Sequence, residues 1–166
     1  MPVLVDIQIA PQYRPLVEQQ ALRRAVEATA AHQGWQGEGE VVIVITDDEG
    51  IRELNLQFRN VDAPTDVLSF PGAVGEDFVT PAGYPGYLGD VIISYPRAEA
   101  QAQEAGQPVQ REIQMLTVHG MLHLFGLDDE EEESWRHMMD VQNAILSTLP
   151  VPPPLKPEQT TGTAIE

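Results

Sequence analysis

Apolar residues along this chain recur with two different periods, and the switching between them predicts alternating strands and helices. Residues 3–9 alternate and are rich in β-branched side chains, which predicts a first strand. Pro15 can open a helix running to about His32, with Leu16, Leu22, Val26 and Ala30 near one face. Residues 34–39 form a loop, and Trp35 and His32 read as packing and surface residues. The unbroken apolar run 41–45 predicts a strand covered on both faces. Thr46 or Asp47 then caps a helix over 48–58. A short strand at 67–70 ends at Pro71-Gly72, and the Gly- and Pro-bearing stretch 72–86 reads as a flexible loop or hairpin connection. A strand at 88–94 leads into a helix at 96–105. Gln107-Pro108 opens a central helix with Val109, Ile113, Leu116 and Gly120 at helical spacing. The last helix, 131–149, is expected to bury Trp135, Met138, Met139, Ile145 and Leu146. Its acidic opening, 128–133, complements the helix dipole. From Pro150 onward the density of proline predicts an extended, disordered tail.

With 166 residues, the pattern suits one domain over 1–149 followed by that tail. No apolar run is long enough to span a bilayer, and residues 1–6 lack the layout of a secretory signal, so a cytoplasmic protein without membrane contact is expected. The absence of cysteine excludes a disulfide framework and a thiolate metal site. A formal net charge of −17, with one lysine and eight arginines, argues against indiscriminate binding of polyanions. It leaves room for an enzyme acting on nucleic acid through a small cleft with local arginine contacts.

The candidate chemistry lies in Thr117-Val118-His119-Gly120-Met121-Leu122-His123-Leu124-Phe125-Gly126-Leu127-Asp128-Asp129. His119 and His123 are one helical turn apart on one face, so both imidazoles can grip one divalent ion. Gly126 offers a helix stop, since a left-handed C′ residue is cheapest as glycine. The reversal can return Asp129 as a third ligand, and three protein ligands with a fourth position left to water is the pattern of a catalytic metal. The common H-E-x-x-H outline needs a glutamate directly after its first histidine as general base. Gly120 stands at that position here, so a zinc-protease mechanism lacks its base.

A second block reads Asn55-Leu56-Gln57-Phe58-Arg59-Asn60-Val61-Asp62-Ala63-Pro64-Thr65-Asp66-Val67-Leu68-Ser69-Phe70, and a third reads Gly89-Asp90-Val91-Ile92-Ile93-Ser94. By themselves, Arg59 reads as a C-terminal helix charge and Asp66 as a turn residue. In this order and spacing, the three blocks resemble the YbeY family of bacterial endoribonucleases, with its N-x-x-[FY]-R-x-x-D-x-P-T-D-V-L-S-F, G-D-I-x-I-S and H-G-x-L-H-L-x-G-Y-D-H. The resemblance covers about residues 1–148 and implies an α+β fold: a small mixed four-stranded sheet packed with about five helices, the metal site on the central helix and the turn after it. It also implies one zinc ion per chain, single-strand-specific RNA cleavage in 16S ribosomal RNA 3′ end maturation, and a part in ribosome quality control.

His119 and His123 match the family's first two metal ligands, Arg59 its active-cleft arginine, and Asp128 its aspartate. The third ligand departs from the pattern, because Asp129 stands where the family carries histidine and Leu127 where it carries tyrosine. A carboxylate oxygen can complete a zinc site, but it tilts preference towards harder ions such as Mn2+, and Ni2+ is a further candidate. His137, two turns beyond Asp129, would point away if the last helix packs through Trp135 and Met138. Two other readings remain in play: a zinc amide hydrolase or protease, and a non-cleaving assembly factor holding a structural metal and meeting the ribosome or its basic proteins through an acidic surface. Composition gives no oligomeric state.

Overall fold

The computed structural model describes residues 3–72 and 86–152. The strands are β1 (Val3–Ile9), β2 (Gly39–Thr46), β3 (Val67–Pro71) and β4 (Gly86–Ser94), and the α-helices are α1 (Gln19–His32), α2 (Asp48–Arg59), α3 (Tyr95–Ala105), α4 (Val109–Leu124) and α5 (Glu132–Ser147). A 3₁₀ turn, Pro11–Leu16, precedes α1. The sheet order is β1-β2-β4-β3. β1 runs parallel to β2 and β2 to β4, while β3 pairs antiparallel with β4. This is the α+β domain with a small mixed sheet that the sequence blocks implied.

One face of the sheet carries the main core. Val41, Ile43, Ile45, Val91 and Ile93 pack there with Leu22, Val26, Ile113, Leu116 and Met121 of α1 and α4. The other face is smaller, with Ile51 of α2 set against Leu68 and Ile92. β2 is therefore buried on one face and half-buried on the other, so the apolar run 41–45 is covered less evenly than expected. α4 is the hub of the fold. It lies across β3 and β4 and also meets α1, α3 and α5.

The helix ends follow the capping residues. Asp47, rather than Thr46, caps α2, its Oδ1 accepting from the Gly50 N–H at 2.8 Å. α1 starts later than the position of Pro15 suggested. Pro15 lies inside the 3₁₀ turn, Val17 is extended, and the Glu18 carboxylate accepts from the Gln20 N–H at the true start. α5 packs through Met138, Ile145 and Leu146, but Trp135 is 49% exposed and Met139 only half-buried. The expectation that Trp135 is buried is thus corrected: it sits in the first turn of α5, before the stripe that meets the core. Trp35 does pack, edge-on to Phe125, and His32 is exposed. Most of the stretch 72–86 and nearly all of the tail after Pro150 lie outside the described residues. No helix among the described residues is long and apolar enough to cross a membrane.

Candidate metal centre

α4 is pressed against the sheet at Gly120. Ser69 of β3 donates its hydroxyl to the Gly120 carbonyl at 2.9 Å. A Cβ on Gly120 would lie 2.6 Å from Val91 Cγ1 and 3.1 Å from Ser69 Oγ. Any side chain here would push the helix off the sheet. The position after the first histidine thus points into packed core and has no room for a glutamate base. This close approach fixes α4 so that His119 and His123 face away from the sheet's centre, into an open cleft of about 450 Å³ beside the edge strand β3.

The chain reversal after α4 follows from its last residues. The Leu127 N–H donates to the Leu122 carbonyl, and the Gly126 N–H to that of His123, both at 3.0 Å. Gly126 has φ +96°, which glycine adopts without strain. Both bonds together form a Schellman stop, with Leu127 folded back onto the cluster that contains Leu122. Asp129 consequently swings beneath the two histidines.

His119 Nε2 and His123 Nε2 are 3.2 Å apart. Asp129 Oδ2 lies 3.6 Å from the first and 3.8 Å from the second. Ligand atoms on a tetrahedral ion with bonds of about 2.0–2.2 Å are separated by roughly 3.3–3.6 Å. The three separations, 3.2, 3.6 and 3.8 Å, straddle that spacing, and these are the group of histidine and acidic side chains among the described residues that could hold an ion. His119 Nδ1 lies 2.8 Å from Gln142 Oε1. Since that oxygen only accepts, Nδ1 carries the proton, and Nε2 faces the cleft. In one tautomer the His123 Nε2–H donates to His119 Nε2, and with both nitrogens unprotonated the two lone pairs and the carboxylate converge as the donors of one ion do. The residues present therefore fit a divalent ion.

Burial first, then the neighbouring His119, hold the His123 imidazole below its ordinary range, against opposing pulls from Asp129 and the Leu127 backbone. A lowered value keeps the ring neutral near pH 7, the form that binds metal.

Arg59 ends α2 and reaches over the edge of β3. Its Nη2 donates to the Ser69 carbonyl at 3.0 Å, and its Cζ lies 5.7 Å from the Phe70 ring centre. These contacts place a guanidinium on the cleft wall facing the histidines. Asp128 also lines the cleft, its Oδ1 accepting from the Glu130 N–H at 3.3 Å. It lies outside the set of converging donors. His137 is exposed on α5 and takes no part in that set either. Asp66 is structural, since Oδ1 accepts from the Val67 N–H at 2.7 Å and Oδ2 from Gln101 at 3.2 Å. Buried Asn55 donates to the Ala63 carbonyl at 2.9 Å and ties down the loop that leads into β3.

Sequence reading missed Gln142 and Ser69. Gln142 did carry a signal, because it is the polar residue in the otherwise apolar stripe of Met138, Ile145, Leu146 and Leu149. Ser69 carried none, since its partner is a backbone carbonyl brought close only by packing.

The family description Endoribonuclease YbeY matches residues 9–150. An Endoribonuclease YbeY of Roseiflexus castenholzii is 47% identical over 128 residues, 77% of this chain and 80% of that protein. One from Roseiflexus sp. is 50% identical over 127 residues, 76% and 79% of the two chains. The Endoribonuclease YbeY of Gloeobacter violaceus is 39% identical and aligns with 80% of this chain and 75% of its own length. A Thermotoga maritima protein solved in solution superposes with a TM-score of 0.56 at 24% identity, covering 96% of this chain and 89% of its own, and so shares the fold.

Proposed function

The chain belongs to the YbeY endoribonuclease family, and from that premise we propose that it is a metal-dependent hydrolase cutting phosphodiester bonds in single-stranded RNA. We assign it to 16S ribosomal RNA 3′ end maturation and ribosome quality control, with the ribosome or its proteins as partners and the cytoplasm as its compartment. Residues 1–149 form the catalytic domain in this reading, and 150–166 a tail outside it. The observation that carries the reading is the convergence of His119, His123 and Asp129 in a cleft with Arg59 on the facing wall.

Each side chain then has a distinct role. His119 and His123 hold the ion through Nε2, and Asp129 completes the set with a carboxylate oxygen. Zn2+ suits this donor set, and the carboxylate makes Mn2+ or Ni2+ workable. When bound, the ion supplies Lewis acidity to the phosphoryl group. Arg59, with one N–H spent on Ser69, turns its remaining donors to a non-bridging phosphate oxygen and stabilises the charge that develops there. Asp128, whose Oδ2 is not engaged by the turn, is placed to accept a proton from the nucleophile.

Peptide hydrolysis is the weaker alternative, because the base that it requires would have to stand at Gly120. A non-cleaving assembly factor draws support from the carboxylates of Asp66, Asp128, Asp129 and Glu130 around the cleft. The deciding experiment uses protein of measured metal content on single-stranded ribosomal RNA fragments, with and without chelator. Cleavage by wild type that is lost with chelator, in Arg59→Ala and in His119→Ala supports the enzyme. A folded, metal-loaded wild type that leaves the RNA intact supports the assembly factor. The product ends tell whether water or the RNA's own 2′-hydroxyl attacks: a 2′,3′-cyclic phosphate marks the latter.

A further inference from the structure

Phe58 is the most exposed large apolar side chain among the described residues, at 60%. Its ring centre is 5.3 Å from that of Phe70, tilted by 59°. Phe70 lies on the edge strand β3 between Ser69 and Pro71, which line the cleft, so its own ring points to the other face of the sheet, beside Ile51, Leu68 and Ile92. The Arg59 guanidinium stands over the same Phe70 ring, its Cζ 5.7 Å from the ring centre. Two partly open rings therefore lie across the sheet edge from the cleft, joined to it by Arg59, which both lines the cleft and stands over Phe70.

Charge decides what such a surface must do. Arg59 is the single arginine or lysine among the described residues lining the cleft, against four carboxylates, Asp66, Asp128, Asp129 and Glu130. The whole chain carries −17. Phosphate neutralisation and counterion release, the usual source of affinity for RNA, are therefore scarce here. Stacking of unpaired bases on aromatic faces needs no net positive charge and tolerates any sequence.

We infer that Phe58 and Phe70, with Arg59 set between them and the cleft, form a stacking subsite for one unpaired nucleobase next to the phosphate bound in the cleft. Arg59 then links both parts, reaching a phosphate oxygen from its place over the Phe70 ring. The inference rests on the ribonuclease reading and adds the source of affinity for single strands.

The test uses the full chain loaded with zinc and a fluorescein-labelled oligoadenylate. Anisotropy gives binding, and initial cleavage rates are read on the same samples. A second series walks one abasic ribose along the oligonucleotide. Phe58→Ala should weaken binding roughly ten- to a hundredfold, Phe58→Trp should restore it, and the salt dependence should be the same in both. One abasic position should cost wild type that factor and cost Phe58→Ala nothing further. A wild type that binds and cleaves, with Phe58→Ala equal to it or a flat abasic scan, overturns the subsite and leaves the ribonuclease reading standing. A metal-loaded wild type that binds no RNA overturns both.

Discussion

The two walls of the cleft are built in opposite ways. On the helical wall, His119 and His123 are largely buried, and Gln142 reaches across from a second helix to fix one ring. On the loop wall, Asp128 and Asp129 are exposed and make few contacts. The first wall is preorganised by packing, and the second is positioned mainly by a backbone turn. A residue on the loop wall can therefore be exchanged without leaving a cavity or forcing an overlap, whereas the helical wall has no such freedom. Asp129, which the motif resemblance set against a histidine, falls on that freer wall.

The comparison predicts a ranking of effects. Gly120→Glu should be the most damaging, because it forces atoms into Val91 and Ser69 and buries an unpaired charge. A loss of about 3–5 kcal/mol is expected in denaturant unfolding, with no peptidase activity gained. A stable variant that cleaves casein would break the account of the helical wall. His119→Ala should abolish metal retention, read by elemental analysis of dialysed protein, while the metal-free fold survives. Gln142→Leu should lower zinc affinity about 10–100-fold in chelator competition, with Gln142→Glu restoring or exceeding wild type. An unchanged affinity in the leucine variant would show that Gln142 only fills space.

Asp129→His should change less, raising preference for zinc over manganese without altering thermal stability. A large loss of stability would mean that the loop wall is as tightly packed as the helical one. The smallest effect concerns pH. Because the folded protein holds the His123 imidazole below its usual range, the unfolded chain binds that proton first as pH falls. The stability contribution is complete above the ordinary histidine value of about 6.5 and is lost as pH drops through the lowered folded one. In metal-free protein, His123→Asn should flatten that part of the melting-temperature profile relative to wild type.

Much was legible in the chain itself, for physical reasons that are local. Alternation and helical spacing marked the strands and α-helices, and capping residues such as Asp47 marked a start. The i, i+4 histidines and the glycine stop placed three donors together, because one helical turn and one Schellman reversal are short-range geometry. The late start of α1 and the exposure of Trp135 were misread, because tertiary packing overrode the proline and the apolar side chain. Other features were decided only when distant segments met. Gln142 lies 23 residues beyond the histidine that it orients, and Ser69 lies 51 residues before the helix carbonyl that it grips. The stacked position of Arg59 over Phe70 depends on β3 being an edge strand, which sheet order alone decides. The sequence determined the donors and the turn that gathers them. The tertiary structure decided which ring nitrogen faces the cleft, why residue 120 must be glycine, and which aromatic ring Arg59 stands over. Those outcomes depend on long-range packing, which no local pattern encodes.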